Sequence, residues 1–134
     1  MTAILLDTNA LLHLVADPER LNEQAYSVLA DQRNDLYVSA ASAWEVSIKT
    51  RIGRFDGEPL LSAWGDVLAE MNAADLPIDP SDAAMAGRLN WAHKDPFDRM
   101  IVAQAARRGL TIATSDRQVI GGALTSVLDT RTRR

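Results

Sequence analysis

Ala3-Ile4-Leu5-Leu6 is apolar at every position and stops abruptly at Asp7. A strand with one face in water alternates between apolar and polar residues. One that is apolar throughout must be covered on both faces, as in a parallel sheet flanked by helices. The remaining pattern agrees. Leu11, Leu12, Leu14 and Val15 fit a first helix closed by Asp17-Pro18, and Leu21, Ala25, Val28 and Leu29 have the spacing of a second. Leu36-Tyr37-Val38 reads as the second strand, followed by a helix over 40–51 that Gly53 can end. Leu60, Leu61, Trp64, Val67, Leu68 and Met71 predict one amphipathic helix, and Leu76-Pro77-Ile78 a short edge strand. Asp79-Pro80 and Asp95-Pro96 each open a helix, the second running to Gly109. A strand over 110–114 and another at 126–128 complete the set. Strands alternating with helices predict a three-layer α/β/α fold with a mostly parallel sheet of four to five strands.

The 134 residues suffice for one core, and no linker or low-complexity run divides them, so residues 1–130 read as one domain and 131–134 as a polar tail. With no cysteine and only His13 and His93, thiolate and histidine-rich metal sites are excluded, and any metal must be held by oxygen. Residues 1–6 lack a basic leader segment and no apolar run reaches membrane-span length, which predicts a cytoplasmic protein without membrane attachment. A net charge of −4 argues against binding nucleic acid through bulk positive charge. Lys49, Arg51, Arg54, Lys94, Arg99, Arg107, Arg108 and Arg117 remain to meet phosphates if a cation neutralises clustered acids.

In a parallel sheet all strand ends of one kind share an edge, and ligands bind outside the carboxyl ends where strand order reverses. Asp7 and Asp116 each follow a strand. Asp98 opens the helix leading into the Asp116 strand, and Glu45 lies one to two turns inside the helix after the second strand. Each acid has an ordinary local explanation. Asp7 can cap a helix, Ser42-Ala43-Trp44-Glu45 matches a capping box, and Asp116 suits a turn. Asp79-Pro80-Ser81-Asp82 repeats the spacing of Asp95-Pro96-Phe97-Asp98 where no chemistry is evident, so capping accounts for Asp95. Converging carboxylates nevertheless suit Mg²⁺ or Mn²⁺, hard cations that prefer oxygen. His93, in a loop beside Lys94, reads as a surface or substrate-contact residue rather than a ligand. Trp44, Trp64 and Trp91 could stack on bases, but two sit in amphipathic helices where core or subunit packing is commoner, and all three are left out of the site.

Four strings carry a family resemblance: Leu5-Leu6-Asp7-Thr8-Asn9; residues 39–49 around Trp44-Glu45; Asp95-Pro96-Phe97-Asp98-Arg99 with its Ala-Gln-Ala continuation; and Thr114-Ser115-Asp116. In this order and spacing the chain resembles PIN domains of VapC-type toxins. The resemblance implies a metal-dependent endoribonuclease in which Asp7, Glu45, Asp98 and Asp116 hold one or two divalent cations. Thr8, Asn9, Asp95, Thr114 and Ser115 would support them, and Lys49, His93, Lys94, Arg99 and Arg117 are candidates for substrate contact. It also implies an RNA substrate, a homodimer and a VapB-type antitoxin.

Three alternatives stand beside it. A phosphohydrolase of the haloacid-dehalogenase type needs a second Asp two residues after the first, where this chain has Asn9. A non-catalytic module could receive a basic peptide in an acidic groove. An RNA-processing nuclease without a toxin role would use the same site.

Overall fold

The computed structural model describes residues 1–132; the last two tail residues, Arg133 and Arg134, lie outside the described residues. In chain order the elements are β1 (Ala3–Leu6), α1 (Thr8–Ala16), a 3₁₀ turn (Pro18–Arg20), α2 (Glu23–Ala30), β2 (Asp35–Ser39) and α3 (Ala40–Arg51). They continue with α4 (Glu58–Ser62), α5 (Trp64–Glu70), β3 (Ala73–Leu76), α6 (Pro80–Arg88), α7 (Pro96–Arg108), β4 (Thr111–Thr114), α8 (Arg117–Gly122) and β5 (Val127–Asp129). The five strands form one sheet in the order β3-β2-β1-β4-β5. Every pairing is parallel.

The unbroken apolar run of β1 is explained by two cores. Ile4 and Leu6 enter one with Leu36, Val38 and Ala113, covered by Leu11 of α1, Leu29 of α2 and Leu68 of α5. Leu5 enters the other with Ile112, Ile101, Val102 and Ala105 of α7, and Val119 of α8. Residues i and i+2 of a strand share a face, so the middle strand faces apolar side chains above and below. Truncating fully buried Leu5 to Ala would cost about 2–5 kcal/mol, the lost transfer energy plus a cavity.

The elements differ from the sequence expectation in four places. The third strand lies just upstream of Leu76-Pro77-Ile78: it pairs Leu36↔Ala73 through Ser39↔Leu76 and ends before Pro77, which has no N–H for the ladder. It is an edge strand, as a following proline suggests. The helix expected over 60–71 is broken at Ala63, whose N–H turns back to Leu60 O, so that α4 and α5 are separate. Helix α8 was not foreseen. Finally, Ser39 caps α3 through a bond from the Ala41 N–H, so Ser42 and Glu45 sit inside the helix and do not form a capping box.

Candidate metal centre

β1 stands at the reversal of strand order: β2 and β3 extend from it to one side, β4 and β5 to the other. Asp7 follows β1 and Asp116 lies just beyond β4, so both acids emerge at the carboxyl edge beside that crevice. The Asp7 N–H bonds Ala113 O at 3.0 Å, fastening the turn after β1 to the neighbouring strand.

Asp7 is buried and caps α1, its Oδ1 accepting the Ala10 N–H at 2.8 Å. Its Oδ2 accepts the Thr114 hydroxyl. The same hydroxyl oxygen accepts the Asp116 N–H at 3.0 Å, so one buried threonine ties two acids together with its donor and acceptor both used. Asp116 in turn caps α8 by accepting the Gln118 N–H at 2.8 Å. Asp98 lies in the first turn of α7, whose cap, Asp95, accepts the N–H groups of Phe97 and Asp98 at 2.9 and 3.0 Å.

Burial pushes the Asp7 carboxyl up from 3.8 to about 7; the bonds from Thr114 and Ala10 oppose this, and the charges of Asp98 and Asp116 add to it. Asp98 is raised to about 6, chiefly by burial, with its bond from His93 opposing and the charges of Asp95 and Asp116 adding. Three acids from separate elements thus act on one another electrostatically. Such a set favours a divalent cation, which removes the repulsion and suits an all-oxygen donor set.

Glu45 lies inside α3, and its ion pair is with Lys49 rather than with the other three acids. Thr8, next to Asp7, shares a buried hydrogen bond of 3.0 Å with Ser42, and Glu45 lies one turn beyond Ser42 on the same helix face. Glu45 is buried and pairs with Lys49 at 2.7 Å. From the sequence Ser42 reads only as a possible helix cap; its contact with Thr8 is not foreseen there.

The candidate supporting and contact residues divide. Thr8 and Thr114 are buried beside Asp7, whereas Ser115 is half-buried and Asn9 exposed. Lys94 and Arg117 are exposed on the flanks. Arg99, proposed for substrate contact, is committed elsewhere: all five guanidinium N–H groups point at backbone carbonyls, those of Ala86, Gly87, Leu89, Trp91 and His93. Arg107 and Arg108 clasp the fully buried Asp82 at 2.5 and 2.8 Å, at the far end of α7 from Asp98. The control string at 79–82 is therefore a capping box locked by arginines, a structural device.

His93 is not the free surface residue the loop suggested. Its Nε2 lies 2.7 Å from Asp98 Oδ2, and ligand atoms of His93, Asp95 and Asp98 fall within 4.8 Å of one another. Trp64 donates to Asp75 at 2.9 Å. Trp44 is 58% exposed, its ring edge-on to Phe97 at 5.0 Å.

The family described as PIN domain matches residues 4–120. Ribonuclease VapC22 of Mycobacterium tuberculosis (strain ATCC 25618 / H37Rv) is 35% identical over 121 residues, covering 89% of this chain and 91% of that protein. VapBC2 from Rickettsia felis, solved bound to a DNA fragment from its promoter, gives a TM-score of 0.68 at 12% identity, over 96% of this chain and 99% of that one. FitAcB from Neisseria gonorrhoeae gives 0.61 at 23% identity, over 94% and 96%. At these identities the two solved structures are likenesses of fold.

Proposed function

The chain belongs to the PIN-domain family, and from that premise we propose that it is an endoribonuclease whose Asp7, Glu45, Asp98 and Asp116 hold Mg²⁺ or Mn²⁺. One observation carries the reading: at the carboxyl edge of the sheet the buried Thr114 hydroxyl joins Asp7, which follows β1, to Asp116, just beyond β4. A haloacid-dehalogenase-type phosphohydrolase finds no second acid there, because the position two residues on is the exposed Asn9.

A bound divalent cation supplies a lowered pKa for the attacking water and charge neutralisation at the scissile phosphate. The chain's residues do the rest. Asp7 is immobilised by the Ala10 N–H and the Thr114 hydroxyl, so it is positioned before substrate arrives. Thr114 also fixes the backbone of Asp116, setting two carboxylates relative to each other. Asp98 and Asp7 must be ionised to act, so cleavage rises with pH through about 6 to 7 at limiting metal. Exposed Lys94 and Arg117 meet the phosphates on either side. Water rather than the ribose 2′-hydroxyl is the nucleophile, which leaves 5′-phosphate and 3′-hydroxyl ends.

The name of the 35%-identical relative, a ribonuclease, supports RNA as substrate. The VapBC complexes among the fold relatives support a VapB-type antitoxin as partner and a toxin role; a homodimer is what the family resemblance implies. No helix among the described residues is long and apolar enough to cross a membrane.

The test is incubation of purified protein with single-stranded and structured RNAs in Mg²⁺ or Mn²⁺, beside Asp7→Asn, Asp98→Asn and an EDTA control. Cleavage by wild type alone, abolished by EDTA, is expected. Equal cleavage by the variants would assign the activity to a contaminant. Peptide capture without any cleavage would favour the acidic-groove module.

A further inference from the structure

The connection 89–95 between α6 and α7 carries His93, and it is fastened from two sides. Arg99 spends every donor on five carbonyls of this segment and the end of α6, at 2.7–2.9 Å for Ala86, Leu89, Trp91 and His93 and 3.5 Å for Gly87. A planar fork can span that many acceptors; an ammonium, with three donors at one point, cannot. On the other side the Trp91 ring lies against Gly122 of α8, so close that a Cβ there would fall 2.3 Å from Trp91 Cε2. Trp91 also contacts the His93 ring, with centroids 4.9 Å apart. Helix α8 is the one that Asp116 caps. The connection therefore links the helix starting near Asp98 with the helix starting at Asp116.

We propose that this clamped connection is a positioning device: Arg99 and Trp91 hold His93 so that its Nε2–H fixes the Asp98 carboxylate through Oδ2, leaving the other oxygen to face a cation. His93 is then a positioning residue and not a ligand, because the ring nitrogen that approaches the acids is spent on Asp98 at 2.7 Å. Partners of this kind orient a ligating carboxylate and typically contribute ten- to a hundred-fold in metal affinity. The inference rests on the metal-centre reading given above.

The experiment is calorimetric titration of Mn²⁺ into full-length wild type, His93→Ala, His93→Gln, Arg99→Lys and Asp98→Asn, with a thermal melt of each. Gln places an amide donor close to the position of Nε2. The expected result is Mn²⁺ binding weakened ten-fold or more in His93→Ala and Arg99→Lys, with His93→Gln within about three-fold of wild type. His93→Ala matching wild type while Asp98→Asn loses binding would overturn the inference and leave the metal centre standing. Equal loss in His93→Ala and His93→Gln would also overturn it, by making His93 a ligand. Absence of Mn²⁺ binding by folded wild type would overturn the metal centre and the inference together. If Arg99→Lys does not fold, the two His93 variants decide the matter.

Discussion

Asp7→Asn should stabilise the metal-free protein above neutral pH, the reverse of what substituting a buried, hydrogen-bonded polar residue usually does. The carboxyl is raised from 3.8 to about 7 in the folded chain. Between those values the folded state holds a proton that the unfolded state has released, so stability falls as pH rises through that window and then levels off. At 1.36 kcal/mol per pH unit the full gap is roughly 4 kcal/mol. Asn still accepts the Ala10 N–H but meets the Thr114 hydroxyl with an amide donor, which returns about 1 kcal/mol. The net gain is about 3 kcal/mol, or ~10 °C in Tm for a domain of this size. Thermal melts in EDTA at pH 4 and pH 8 are the assay. The variant should melt at or slightly below wild type at pH 4 and above it at pH 8, and saturating Mn²⁺ should raise wild type alone. A variant less stable than wild type at pH 8 in EDTA, or a wild-type Tm that does not fall between pH 4 and pH 8, would refute the reasoning.

Thr114→Val removes the hydroxyl shared by Asp7 and the Asp116 N–H; it should cost about 1–3 kcal/mol in urea unfolding and move the pH midpoint of cleavage upward, because Asp7 loses the bond that lowers it. Asp82→Asn breaks a buried carboxylate clasped by Arg107 and Arg108, so it should lose about 3 kcal/mol at pH 7 while cleavage per folded molecule is unchanged. Its carboxyl is held below the usual range, so this contribution is full above pH about 4 and disappears as pH falls through the lower folded value. Gly122→Ala drives a methyl into Trp91 and should cost about 1–3 kcal/mol, measured by the same melts. Raising Mn²⁺ should move the cleavage midpoint to lower pH, since the cation competes with protons for Asp7 and Asp98.

Much of the fold was legible because β1 cannot be apolar at every position unless both faces are covered, and because proline and glycine mark the ends of α6 and α7. The edge position of Asp7 and Asp116 followed from parallel topology alone. What escaped had physical causes. A hydrophobic period is blind to a break at a small residue such as Ala63, and a six-residue helix such as α8 leaves too short a pattern to separate from the turn that Asp116 suggests. A helix start is ambiguous when Ser39 and Ser42 both offer a hydroxyl. Arg99 and His93 were misjudged for a shared reason: a polar side chain beside a motif reads as available, while its partners, backbone carbonyls in one case and a carboxylate in the other, come from loop geometry that no spacing encodes. The repeated Asp-Pro-x-Asp string shows how far spacing goes. Both copies cap a helix, and only the surroundings distinguish Asp98, facing other acids, from Asp82, neutralised by two arginines.

The most direct test of the central claim is a crystal of this protein soaked in Mn²⁺ and measured at the manganese edge. An anomalous peak within about 2.0–2.6 Å of carboxylate oxygens of both Asp7 and Asp98, lost in Asp7→Asn, is the predicted result. A peak confined to His93 and Asp95, or no peak at saturating Mn²⁺, would contradict it.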